Sequence, residues 1–306
     1  MKRACGKEAI TMMKTQKKSK LTMSQLVLTA VILVLSLVCF LPVVNVIAIS
    51  LSSKSPILRG EVTFLPVELN FKAYEAIFKD PSMITSLFFT VKITVIYTVL
   101  AMILTVLLAY PLALRRFKGQ KIISLFVIFT MYFSGGTIPI YLNIKELGML
   151  NTQWALILPG VISTFNVLLM RNFFNALPYE MNEAAYIDGA TDFQVLLRIY
   201  LPLSLSSIAT LSLFYAVGKW NSFSDALYYT TSRDLQPLQL KLYNLIKGNQ
   251  SIELSAFEGN SNNINSEITE SLESATIIFA TLPILIVYPF VQRYFVAGVA
   301  SGAVKG

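Results

Sequence analysis

Six stretches of this chain contain no Lys, Arg, Asp or Glu: residues 21–53, 93–114, 122–144, 147–170, 199–218 and 274–292, with lengths of 33, 22, 23, 24, 20 and 19. No other charge-free run exceeds 11 residues. A helix rises about 1.5 Å per residue, so about 20 apolar residues cross a hydrocarbon layer about 30 Å thick. Each run is therefore long enough to span. Only 14% of the 306 residues are charged and 55% are hydrophobic, whereas soluble domains carry about 25% charged residues. The sequence predicts an all-α membrane protein of six transmembrane helices.

The charges orient those helices. Residues 1–20 hold seven cations and one acid, Glu8. The apolar stretch that follows is far longer than the roughly 7–15 residues of a signal-peptide core, which favours an uncleaved first helix. With this tail in the cytoplasm, the inner segments collect 15 Lys and Arg against five acids. The outer segments collect eight against twelve, leaving aside Lys92 and Lys219 at span ends. Cations concentrate on the cytoplasmic side of membrane proteins, so the bias predicts both termini inside. Lys92 and Lys219 are expected to snorkel to the outer interface. The net charge of +8 then reflects topology and anionic lipid, with no call for a nucleic-acid partner.

Several chemistries are excluded. There is no histidine, which removes imidazole-based triads and zinc-protease motifs. The two cysteines, Cys5 and Cys39, have no metal or disulfide spacing. Gly218-Lys219 lacks the upstream glycine of a phosphate-binding loop and is followed by Trp220. No metal or cofactor is expected on this chain, and ATP is not expected to bind it. A membrane-embedded transferase needs interfacial acids or a nucleophile pair, yet the apolar runs contain neither acid nor histidine. A secondary transporter needs an ion site or an inverted repeat, and neither is visible.

Every run contains or adjoins proline, among them Pro42, Pro111, Pro139, Pro159, Pro202, Pro283 and Pro289. Proline removes a backbone hydrogen bond and bends a helix, which predicts bent spans around a shared cavity. The expected organisation is a basic tail at 1–20, a six-helix unit at 21–298 with its core at 85–298, and a short tail at 299–306. Outside the membrane, 54–83 predicts a surface helix at 70–78 capped by Asn70. The outer loop 219–273 opens with aromatics, contains a helix around 240–246 and ends in Asn- and Ser-rich sequence expected to be flexible; sequence alone leaves the structure of 248–266 open.

The loop 177–202 is the most informative stretch. Pro178 precedes Glu180 and Glu183 in a first helical turn, and Asp188-Gly189 follows Ile187. This pattern predicts a helix of two to three turns with a glycine stop. A second helical stretch, 193–199, leads to Leu201-Pro202. Glu183-Ala184-Ala185, then Gly189, Ile199 and Leu201-Pro202, reproduces E-A-A-x3-G-x9-I-x-L-P. The chain thus resembles the permease subunits of binding-protein-dependent ABC importers, and its tail from Gln292 to Gly306 resembles the maltose-permease-like, carbohydrate-uptake branch. Further similarity lies in Phe133-Ser134-Gly135-Gly136, Leu158-Pro159-Gly160, Met170-Arg171-Asn172-Phe173-Phe174 and Trp220-Asn221-Ser222.

That resemblance implies a multi-pass protein of the bacterial cell membrane that forms half of a pathway for sugars, most of all oligosaccharides. The implied partners are a homologous second permease, a cytoplasmic ATPase dimer that holds ATP and Mg, and an extracytoplasmic solute-binding protein. It also implies a cytoplasmic coupling helix between the fourth and fifth spans, with Glu180, Glu183, Ala184, Ala185, Asp188, Gly189, Leu201 and Pro202 at the ATPase contact. Gly302, Val304, Lys305 and Gly306 are expected to add a second contact. Polar side chains are expensive in lipid and turn inward. Asn45, Ser134, Gly135, Gly136, Asn166, Tyr215, Trp220 and Asn221 are accordingly candidate pathway residues, each with an interhelical hydrogen bond or an interfacial anchor as its alternative role. A non-sugar solute is the alternative cargo.

Overall fold

A computed structural model describes residues 23–257 and 269–303. The basic tail, the Asn- and Ser-rich tip at 260–266, Val304, Lys305 and Gly306 lie outside the described residues. Gly302 falls within the last helix.

The described residues form helices and one isolated bridge, Ser52 to Leu69. In chain order they are α1 (Met23–Ser50), α2 (Lys54–Leu58), α3 (Lys72–Lys79), α4 (Pro81–Ala113), α5 (Gln120–Tyr132), α6 (Thr137–Glu146) and α7 (Gln153–Ile157). There follow α8 (Thr164–Asn175), α9 (Glu180–Ile187), α10 (Asp192–Leu203), α11 (Leu205–Trp220), α12 (Ser224–Tyr229), α13 (Leu238–Phe257) and α14 (Thr269–Ala303).

Three helices, α1, α4 and α14, contain segments long and apolar enough to cross a membrane. The count rises to five if the bent pairs α5–α6 and α10–α11 each form one span, their members meeting at 109° and 82°. Three of the six runs are therefore interrupted, the fifth at Ser204 between α10 and α11. The third breaks at Phe133–Gly136, where Gly136 adopts φ 86° and begins α6. The fourth breaks at Pro159-Gly160 into α7 and α8, because proline interrupts the helix and Gly160 turns the chain at φ 71°.

The break in the fourth run leaves backbone groups unpaired, and two tyrosines from neighbouring helices satisfy them. Tyr97 Oη on α4 donates to the Gly160 carbonyl at 2.8 Å. Tyr215 Oη on α11 accepts from Ser163 N–H at 3.2 Å and bonds Thr105 Oγ1 at 2.7 Å. Irregular backbone at membrane depth survives where neighbouring helices supply such partners.

α4 is the axis of the bundle. Its 33 residues extend about 50 Å, and it packs against α8 and α11. Ala101, Thr105 and Ala109, spaced four apart, are fully buried, so their small side chains let neighbouring helices approach closely. Near Ala113 the core closes with Tyr110, Phe174 and Tyr200, whose rings meet edge to face at 5.1–6.4 Å. α14 packs on α1 and α11. The outward faces of α1, α4, α5 and α14 present Leu, Ile, Val and Phe, as helices in a hydrocarbon solvent do.

The predicted helices outside the apolar runs are present. The expected cap is displaced by one residue: Phe71 precedes α3 without a side-chain bond, and Asn70 Oδ1 accepts from Lys72 N–H at 3.0 Å. α13 begins after Pro237, covers the predicted 240–246 helix and runs on to Phe257.

Candidate functional site

The loop between α8 and α10 folds into a braced helix-turn-helix. α9 begins at Glu180 behind Pro178 and carries Glu180 and Glu183 in its first turn, where carboxylates complement the helix dipole. It stops at Gly189, whose φ of 78° suits the absence of a Cβ. Thr191 then caps α10 reciprocally: Thr191 Oγ1 accepts from Gln194 N–H, and Gln194 Oε1 accepts from Thr191 N–H at 2.9 Å.

One side of α9 faces the protein. Asn182 is 1% exposed and its Nδ2 donates to Tyr200 Oη at 2.6 Å, tying α9 to α10. Ala185 and Tyr186 pack against the main core. The Arg116 guanidinium, just past the end of α4, lies 4.0 Å above the Tyr186 ring and pairs with Asp192. Tyr186 Oη donates to the same Asp192 carboxylate at 2.7 Å. Burial raises the Tyr186 pKa above its ordinary value, with the Asp192 hydrogen bond adding to the effect, so this hydroxyl keeps its proton at neutral pH. Arg115 lies 4.8 Å above the Tyr179 ring. Arg171 Nε on α8 donates to the Leu112 carbonyl at 2.9 Å. The loop is thereby clamped to the end of α4 by the charged Arg116–Asp192 hydrogen bond and by cation–π contacts, while the buried Asn182 amide ties its own two helices together.

The other side of α9 is open. Glu180, Glu183, Ala184, Ile187 and Asp188 are exposed, Ile187 at 85%. The candidate contact residues therefore divide. Glu180, Glu183, Ala184, Asp188 and Gly189 form one exposed acidic, small-residue face, while Ala185 turns toward the chain's own core. Leu201 and Pro202 lie apart from that face, at the 82° bend into α11.

The candidate pathway residues are not brought together. Trp220 Nε1 donates to the Ala280 carbonyl at 3.0 Å, joining α11 to α14, and Tyr215 braces the fourth-run break. Both fill the alternative role of an interhelical hydrogen bond, because each ring is buried and its polar atom must be satisfied there. Asn45 Nδ2 donates to the Thr63 carbonyl at 2.6 Å and holds the segment between α2 and α3. Asn221 Nδ2 bonds back to the Val217 carbonyl at the end of α11. Ser134, Gly135 and Gly136 are exposed at the 109° break, where Ser134 Oγ accepts from Gly136 N–H. Asn166 lines a groove of about 680 Å³ between α8, α11 and α14, beside Phe214 and Gln292.

Lys219 corrects one expectation. It does not snorkel: it is 6% exposed, pairs with Asp225 Oδ2 at 2.8 Å and lies 5.0 Å from the Tyr97 ring centroid. A buried ammonium without a counter-ion is too costly to keep, and Asp225 on α12 supplies one. This pair, Tyr97 and Gly160 line a cleft of about 460 Å³. Sequence reasoning missed that cleft together with Arg116, Tyr186 and Asp192. Their only signals were a basic pair after the second run and an acid after a predicted helix stop.

Comparison with known proteins adds a family. Residues 82–301 match the model described as "Binding-protein-dependent transport system inner membrane component". The polygalacturonan/rhamnogalacturonan transport system permease protein YtcP of Bacillus subtilis (strain 168) is 38% identical over 278 residues, covering 90% of this chain and 96% of the relative. Protein LplC of the same organism is 40% identical over 269 residues, covering 88% and 90%. A solved chain from a bacterial ABC transporter that imports the acidic polysaccharide alginate superposes with a TM-score of 0.78 at 32% identity, over 91% of this chain and 100% of that one.

Proposed function

Because the chain belongs to the family of binding-protein-dependent transport system inner membrane components, we propose that it is one transmembrane half of an ATP-driven oligosaccharide importer. Relatives named for polygalacturonan and arabinooligosaccharide transport support that cargo. The other half of the pathway comes from a homologous permease. An extracytoplasmic binding protein delivers the sugar, and a cytoplasmic ATPase dimer carries ATP and Mg. This subunit performs no covalent chemistry.

The observation that carries the coupling role is the two-sided α9. Its inner side is clamped to α4, so a push on the helix moves the bundle axis; its outer side offers three carboxylates, Glu180, Glu183 and Asp188, with no partner among the described residues. Small Ala184 and Gly189 allow close approach, and Glu183 pairs with a cation on the ATPase subunit. Such a contact becomes costly to break once desolvated. Closure of the ATPase dimer then moves α9, α4 follows through Arg116 and Asp192, and the bent helices convert the motion into alternating access. Six crossings with both termini inside agree with the cation bias, α7 and α8 together forming a discontinuous fourth crossing. Gly302 to Gly306 supply a second contact with the ATPase, and Asn166 faces the pathway from α8.

A panel of labelled oligosaccharides offered to a deletion strain and its complement tests the reading. ATP-dependent uptake of at least one oligosaccharide returns only with the complement. Uptake that ignores the deletion across the panel contradicts it.

A further inference from the structure

At the end of α4 remote from α9, residues 81–86 and the segment 233–244 line an open pocket of about 640 Å³. Five of its side chains have unspent hydrogen-bonding capacity: Ser86, Arg233, Gln236, Lys241 and Asn244 have no hydrogen-bond or ion-pair partner among the described residues. Lys241 is half-buried, and desolvation lowers its pKa while the Asp80 carboxylate opposes that shift. No carboxylate lies within 4.0 Å of Lys241 or Arg233 among the described residues.

The two acids nearby do not neutralise the site. Asp80 is committed to the start of α4, accepting from Ser82 N–H at 2.8 Å and from Ser82 Oγ at 2.9 Å. Asp234 is exposed. The outer segments as a whole carry more acids than cations, so unpaired Lys241 and Arg233 beside free amides mark a local exception. A partly desolvated ammonium and a guanidinium call for an anion. Two amides and a buried hydroxyl call for a ligand that also carries hydroxyl groups. A sugar ring bearing a carboxylate has both.

We infer that this pocket binds a uronate unit of an acidic oligosaccharide: Lys241 and Arg233 pair with its carboxylate, and Gln236, Asn244 and Ser86 bond its hydroxyls. The inference deepens the importer reading and rests on it, since it makes the outer end of this subunit select for acidic cargo.

Equilibrium binding of labelled trigalacturonate to the assembled importer, without its binding protein, tests the site directly. The comparison is between wild type and Lys241→Gln/Arg233→Gln, with unchanged assembly yield and basal ATPase activity as the check on folding. The double variant binds about tenfold more weakly, a loss of about 1.4 kcal/mol. The fully methyl-esterified trimer binds wild type and variant alike and weakly, and added salt weakens only the acidic ligand. Equal affinity of wild type and variant for trigalacturonate overturns the proposal. So does equal weakening for the ester, or displacement by inorganic phosphate at the same concentration, which marks a simple anion site. ATP-driven uptake separates the two readings: a wild type that imports no sugar removes the importer itself, whereas trigalacturonate uptake indifferent to both substitutions removes the pocket alone.

Discussion

The two ends of α4 use their cations in opposite ways. Past Ala113, Arg116 lies on Tyr186 and pairs with Asp192, Arg115 lies over Tyr179, and Arg171 bonds the Leu112 carbonyl. Every one of these groups is committed within the chain, and what remains open is the acidic face of α9. Near Pro81 the order is reversed: the carboxylate of Asp80 is committed to the helix start, while Lys241 and Arg233 are left open toward a pocket. An end that transmits force needs rigid internal bonds and one exposed docking face. An end that receives ligands needs polar groups that the fold has not already satisfied.

The comparison is broken most easily at the exposed face of α9. Gly189→Val puts a β-branched residue at φ 78°, where no atom lies within 4 Å of the added Cβ, so the cost is conformational, about 1–2 kcal/mol or more. Together with Glu183→Ala, which removes an exposed carboxylate and leaves the fold intact, it should abolish sugar uptake while immunoblots show normal membrane insertion. Normal transport by both variants would remove the coupling role of α9.

Loosening the clamp sharpens the comparison. Arg116→Ala should reduce uptake about tenfold, in line with the loss of a charged hydrogen bond and a cation–π contact. Basal ATPase activity of the assembled complex should persist, so less sugar moves per ATP hydrolysed. Arg116→Lys, which keeps the cation over Tyr186, should recover part of that ratio. A proportional fall in ATPase activity and uptake would mean that the contact serves assembly alone.

Smaller effects are expected where a hydrogen bond only stiffens the bundle. Tyr200→Phe removes the acceptor of the Asn182 amide, whose Oδ1 is already unpaired in the core. The expected loss is about 1–3 kcal/mol of stability, read as a lower thermal midpoint of the purified protein with uptake reduced less than by Arg116→Ala. Smallest of all, Asn221→Ala at an exposed helix end should change uptake and midpoint by amounts near the noise, since surface substitutions cost about 0.5 kcal/mol or less.

The contrast also separates what was legible in the sequence from what was not. The E-A-A-x3-G spacing showed the short helix and its stop because proline, early acids and glycine act locally, each within a turn of where it stands. The clamp joins Arg116 to Asp192 across 76 residues, and no local pattern reports such a pairing. Charge-free length located all six apolar runs, yet length is blind to Gly136 and Gly160, which break two of them. Counting polar residues in the runs selected Tyr215 and Trp220 for a pathway. Burial made them braces, because a lipid-facing bundle must satisfy its broken backbone before it can offer groups to a ligand. Lys219 misled for a related reason: snorkelling follows from one helix alone, and its counter-ion Asp225 stands on the next.

The central claim is that the exposed face of α9 meets the ATPase subunit. Thiol-to-amine crosslinking in native membranes tests it most directly, with Cys5 and Cys39 replaced and one cysteine introduced at a time. Ile187→Cys, on the open side of α9, should yield a crosslinked product that contains the ATPase subunit, and Phe78→Cys, exposed at the opposite end of the bundle, should not. An ATPase adduct from Phe78→Cys, with none from Ile187→Cys, would contradict the account.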